Sequence, residues 1–147
     1  MVLGAFTNIA SAIVKDPTIA PKITLMLMGF QYQTSTLTSN DFNANNDLQA
    51  VDALMDSSVE IKIMPGQQIS DQLTFTKAIA ATKLVGFGGI YDWLYNFWDT
   101  HPTYGTVDPK RMWDICGIAS VIDDTNTPFD TNVTFGVRSD LTVYNSI

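Results

Sequence analysis

One cysteine, one histidine and one glutamate are spread over 147 residues, and each scarcity removes a class of chemistry. Cys116 cannot make a disulfide within the chain, and with His101 it cannot complete a zinc site of structural type from one copy. A Ser/His/Asp or Cys/His triad would need His101, which stands beside Pro102 at the end of an expected helix. An imidazole there commonly meets the last helical carbonyls. Cys116 lies in an apolar run with no neighbouring base to lower its pKa, and reads as a small buried hydrophobe. Fourteen Asp single out no acid/base pair, and Asp123-Asp124 lacks the spacing and terminal Glu of a calcium loop. Gly86-Phe-Gly-Gly fits neither phosphate-binding glycine pattern. No catalytic, cofactor-binding or metal-binding residue is nominated, and no enzyme is expected.

Basic runs are also missing. The closest is Lys110–Arg111, whereas a surface that grips DNA or RNA needs clustered cations to neutralise phosphates. No apolar run approaches the ~20 residues of a membrane span. The opening stretch MVLGAFTNIASAIVKDP has no cationic segment ahead of its apolar part. The expectation is a soluble protein made in the cytoplasm, with residues 1–16 as an N-terminal arm, either extended or a short amphipathic helix. A segment docked on its own core and an arm reaching a neighbour are both open readings.

What is present is a globular composition, 46% hydrophobic and 16% charged, with a net charge of −7. The length predicts one domain, residues 1–147. Asp favours turns and caps over helix interiors, which suits a strand- and loop-rich chain. Lys22–Gln33 is apolar on both faces at first, as a central strand would be, with Gly29 marking a bulge or close approach. Val59–Met64 alternates as a strand. Residues 69–80, Met112–Ile122, Thr131–Val137 and Leu141–Tyr144 read as further strands, the last two as a hairpin. Short connections make most of these antiparallel.

Between them lies a long polar excursion, residues 34–58. Within it, Asp47 can cap a short helix bearing Leu48, Val51, Leu54 and Met55. Its Asn-rich part reads as loop, with Phe42 either anchoring a partner or folded under the loop. Loops this long usually carry function or are disordered.

The clearest helix follows the glycines. In GFGGIYDWLYNFWD, Ile90, Trp93, Leu94, Phe97 and Trp98 recur as one helical stripe, read here as a core face. The expected fold class is mainly β with one prominent helix: an antiparallel sandwich or partly closed barrel with that helix packed on one side.

Taken together, the strand ISDQLTFTKAIA, the helix IYDWLYNFW, and the final pair Trp113–Ile122 and Thr131–Tyr144 around Asp123–Pro128 resemble a tail tube protein of contractile-tailed bacteriophages. That family is similar in plan to the type VI secretion tube protein. The resemblance covers about half of the chain. It implies a structural virion protein, assembled in the host cytoplasm, whose homo-hexameric rings stack into a hollow tube. Partners would be other copies, sheath and baseplate proteins, and DNA passing without specific binding. The 34–58 excursion takes the place of the family's ring-stacking loop, with Phe42, Asn43, Asn45 and Asn46 as its contact residues; the short helix after Asp47 departs from the family pattern. A repulsive acidic wall would let DNA slide, although net acidity also serves ordinary solubility. Alternatives are another tail, baseplate or virion β-sandwich protein, or a non-catalytic ligand-binding β-barrel.

Overall fold

The computed structural model describes residues 1–33, 36–38, 40–66, 70–123, 125, 134–137 and 143–146. Among them the helices are α1 (Thr7–Lys15), α2 (Phe42–Asn45), α3 (Leu48–Met55), α4 (Lys77–Leu84), α5 (Gly89–Thr100) and α6 (Trp113–Ile122). Turns of 3-10 helix occupy Pro17–Lys22, Ser70–Gln72 and Tyr104–Thr106. The strands are β1 (Thr24–Met28), β2 (Gln31–Gln33), β3 (Thr36–Thr38), β4 (Glu60–Met64), β5 (Thr74–Phe75), β6 (Lys110–Arg111), β7 (Thr134–Val137) and β8 (Val143–Ser146). They join only in pairs.

The expectation of a mainly β sandwich or partly closed barrel with one prominent helix is overturned. Two misread segments account for much of the difference. Met112–Ile122 looks like a strand because Ile115, Ile118, Val121 and Ile122 are β-branched. It is instead α6, because Cys116, Gly117 and Ser120 form one small face that turns inward at helical spacing. In residues 69–80 the strand stops after Phe75. There the Thr76 hydroxyl accepts the Ile79 N–H and caps α4, whose alanines favour helix.

A single domain is the expectation from length; the chain's contacts fall into two compact units, Met1–Asp71 with Trp113–Ile147, and Gln72–Met112. At the centre of the first, β1 pairs with β4 in parallel, Leu25 opposite Ile61 and Leu27 opposite Ile63. Val2 joins the other edge of β1, its N–H donating to Met26 and its carbonyl accepting from Met28. Parallel strands need a long crossover, and residues 34–58 lie within it, carrying α2 and α3. The antiparallel expectation fails here because this polar stretch is itself the connection that carries the chain from β1 back to β4.

The strand is covered on both faces. Leu25 and Leu27 pack with Phe6, Ile13, Phe30, Val51 and Leu54, while Met26 and Met28 pack with Met64 and Cys116 of α6. Each fully buried side chain of this size contributes about 1.5–3 kcal/mol. The N-terminal segment is α1, docked on its own core through Ala10 and Ile13. Its Thr7 hydroxyl donates to the Asp47 carboxylate at 2.5 Å, and that same carboxylate caps α3 by accepting the Ala50 N–H at 2.9 Å. Gly29 is a close approach: a Cβ there would come within 2.8 Å of Phe6 Cζ. β7 and β8 pair antiparallel, with Val137 opposite Val143. The side-chain facing of Val133, Phe135 and Val137, and most of the Asp123–Pro128 turn, lie outside the described residues.

The second unit is a helical hairpin closed by a ribbon. Thr74 pairs with Arg111 and Phe75 with Lys110, so the two ends of this unit lie side by side. Between these ends α4 and α5 are joined through Gly86, Gly88 and Gly89, all at positive φ, a conformation that favours glycine.

Candidate functional site

Gly88 opens α5, and the Asp92 carboxylate folds back over the turn to accept the N–H groups of Gly86 at 2.7 Å and Gly88 at 3.1 Å. This pairs two donors of the turn that enters the helix and places an anion near the positive end of its dipole. The helix ends at His101, whose N–H donates to Phe97. The imidazole does not reach back to the carbonyls as expected from sequence. Its Nδ1 accepts the N–H groups of Thr103 and Tyr104, both at 3.1 Å, and starts the next turn.

The spacing of the stripe is as read from the sequence, but its environment is not the core that was expected. Trp98 alone is buried, 8% exposed, stacked 6.5 Å from Phe75 and donating its indole N–H to the Val107 carbonyl. Ile90 is 59% exposed, Trp93 55%, Leu94 44% and Phe97 43%. The physical reason lies in what the hairpin offers. Three of the eight residues of α4 are alanine and its one buried residue is Ala80, so it presents little side chain to an aromatic face.

The exposed rings are nevertheless ordered against one another. Trp93 stacks on Phe97 at 5.2 Å, Phe97 meets His101 at 5.1 Å, and His101 stacks on Tyr104 at 4.4 Å. Lys110 Nζ lies 5.4 Å from the centre of the Tyr104 ring. Phe87 and Tyr91 pair at 6.2 Å near the helix start. Each stacked pair adds about 0.5–1.5 kcal/mol beyond area burial, and it also holds the surface in one shape. Lys77 and Asp99 form an ion pair at 2.9 Å.

The second group named from sequence is not a single surface. Phe42 is 81% exposed at the start of α2, and Asn45 and Asn46 are exposed beside it. Asn43 is a brace, its amide donating to the carbonyls of Met28 at 2.8 Å and Leu3 at 3.3 Å. The Asn46 amide donates to the Phe42 carbonyl, and Asp41 caps the turn by accepting the Ala44 N–H. The Asn-rich segment expected as loop therefore contains a short capped helix.

Cys116 is buried, with its thiol directed at the Ser70 carbonyl, 3.7 Å away, and burial pushes its pKa up. A thiol held protonated is a poor nucleophile. Sequence reasoning missed the outer face of α6, where Ile115, Ile118, Val121 and Ile122 are exposed. The signal was the small set Cys116, Gly117 and Ser120, which shows which side of a helix can approach a neighbour closely.

No protein-family model matches this chain, and no curated protein or solved structure is significantly similar to it.

Proposed function

We propose that this chain is a structural subunit that works by associating with copies of itself through the apolar face of α5. The observation that carries this reading is the exposure of Ile90, Trp93, Leu94 and Phe97 together on one helix, with Phe87 and Tyr91 beside them. Half-covered side chains of this size leave roughly 600 Å² of apolar surface in one patch, taking about 200 Å² for each aromatic. Patches beyond a few hundred Å² on a soluble chain mark interaction sites. Aromatic enrichment is typical of such surfaces, and prior stacking reduces the side-chain entropy lost on association.

A tail tube subunit of a virion is the narrower form of this proposal. Its barrel is gone, and of the strands that carried the resemblance Trp113–Ile122 is helix while residues 69–80 keep only Thr74–Phe75. It now rests on the acidic chain, the exposed Phe42 and the unpartnered aromatic face. A non-enzymatic role belongs to the same proposal.

The test is the mass of the purified protein across concentration, by light scattering or sedimentation, with negative-stain imaging of the concentrated sample. Association that grows with concentration is expected, and rings or tubes would favour the narrower form. A protein that stays monomeric at all concentrations and salts would refute both.

A further inference from the structure

Charge is divided between the two units very unevenly. Gln72–Met112 holds Lys77, Lys83, Lys110 and Arg111 against Asp92, Asp99 and Asp108, a net charge of +1. The remaining residues hold four cations against twelve carboxylates, a net charge of −8. Each unit also carries its own exposed apolar helix face. On the hairpin it is the α5 stripe. On the acidic unit it is the outer side of α6, where Ile115, Ile118, Val121 and Ile122 face solvent while Cys116, Gly117 and Ser120 face the methionines of the core. Asp114 and Asp123 are exposed at the two ends of that helix.

We propose that these faces are the two halves of one joint: the α5 face of one copy seats on the outer face of α6 of the next copy, head to tail. The inference rests on self-association and specifies how it happens. Two hairpin faces meeting symmetrically would leave α6 uncovered, and two α6 faces meeting would oppose units of net charge −8. The head-to-tail joint covers both faces in every internal copy and pairs the mildly cationic unit with the acidic one. Its area is adequate. The α5 patch gives roughly 600 Å² and the α6 face roughly 500 Å², close to the ~1,200 Å² at which specific interfaces begin before any polar rim is added. A heterologous joint makes a closed ring when its rotation closes and an open filament when it does not.

The test uses two full-length variants and their mixture. Ile122→Asp spoils the α6 face, and Trp93→Asp spoils the α5 face; Ile118→Asp and Phe87→Asp serve as second variants at each face. All four positions are exposed, so each variant is expected to keep the wild-type far-UV spectrum. Each variant alone should associate at least ~10-fold more weakly than the wild type, the expected effect of disrupting a central interface residue. Mixed in equal amounts, the two should form a dimer that grows no further, because one intact face of each kind remains available. That joint should weaken as salt rises. If the Ile122→Asp variant dimerises alone through its hairpin, or the Trp93→Asp variant through α6, the joint is symmetric. This inference then falls while self-association stands. If the mixture forms no dimer although the wild type associates, the two faces are not partners and the inference is overturned. A wild type that remains monomeric removes the underlying reading itself.

Discussion

Two tryptophans five residues apart on α5 should respond unequally to truncation. Trp98→Ala removes about 200 Å² of covered aromatic surface, or about 5 kcal/mol at ~25 cal/mol/Å², near the top of the ~3–5 kcal/mol seen for emptied aromatic sites. It also removes the indole donor to the Val107 carbonyl and the stack on Phe75. Trp93→Ala removes less than half of that area from contact. The expected loss is about 2 kcal/mol, offset by about 0.5 kcal/mol from the better helix propensity of alanine. Stability should be measured by urea denaturation at high dilution, so that association does not contribute. Near-UV dichroism reports the hairpin, and sedimentation at high concentration reports association. Trp98→Ala should unfold the hairpin outright. Trp93→Ala should leave it folded in dilute solution and lower self-association. Equal destabilisation by the two changes would mean that the α5 face is buried within the monomer, and the reasoning from exposure would fail.

Other consequences are as direct. Asp47 is held below the usual carboxylate range, first by the Thr7 hydroxyl and then by the Ala50 N–H. A lowered folded-state pKa gives stability that is fully present above the unfolded value, near 4, and is lost as pH falls through the folded value. Acid titration of Asp47→Asn should lack that component, and Asp47→Ala should lose about 1–2 kcal/mol as a missing cap. Gly29→Ala would set a Cβ 2.8 Å from the fully buried Phe6 ring and 3.1 Å from Asp41 Oδ1, so a loss of about 1–3 kcal/mol is expected on denaturation. In Gly117→Ala the nearest atoms to the new Cβ belong to the Met26 and Met1 side chains, at 3.3–3.4 Å, which can shift. The gain in helix propensity of about 0.8–1 kcal/mol should leave its melting temperature unchanged or higher. Cys116 should resist alkylation at pH 8 in the native protein and react fully in denaturant; rapid native labelling would contradict its burial.

How much of this was legible depends on whether the signal was local. The Asp47 cap, the α3 face and the β4 alternation are local and were readable. The apolar character of both faces of Thr24–Met28 was also visible. Its meaning was not: it fits the centre of a parallel βα unit, whose crossover is polar in sequence and resembles a loop. In Trp113–Ile122 the β-branched residues outweigh the small ones, so the sequence suggests a period of two where 3.6 applies. In the second unit, Thr76 followed by an alanine-rich run was an available start signal overshadowed by Leu73-Thr-Phe-Thr. The α5 stripe shows a different limit. Periodicity tells which residues share a face, but what covers that face depends on neighbours distant in sequence.

The ordering of the chain gives the first unit an unusual folding problem. The methionine side of β1 is closed by α6, and Met26 and Ser120 meet across 94 positions of chain. The whole hairpin from Gln72 to Met112 is synthesised between them. A nascent chain can therefore complete α1, α3 and the β1–β4 pair while Met26, Met28 and Met64 still lack their cover. Long-range closures of this kind are slow, and the open intermediate presents an apolar sheet face during its lifetime. Aggregation during synthesis should thus depend on how soon α6 emerges.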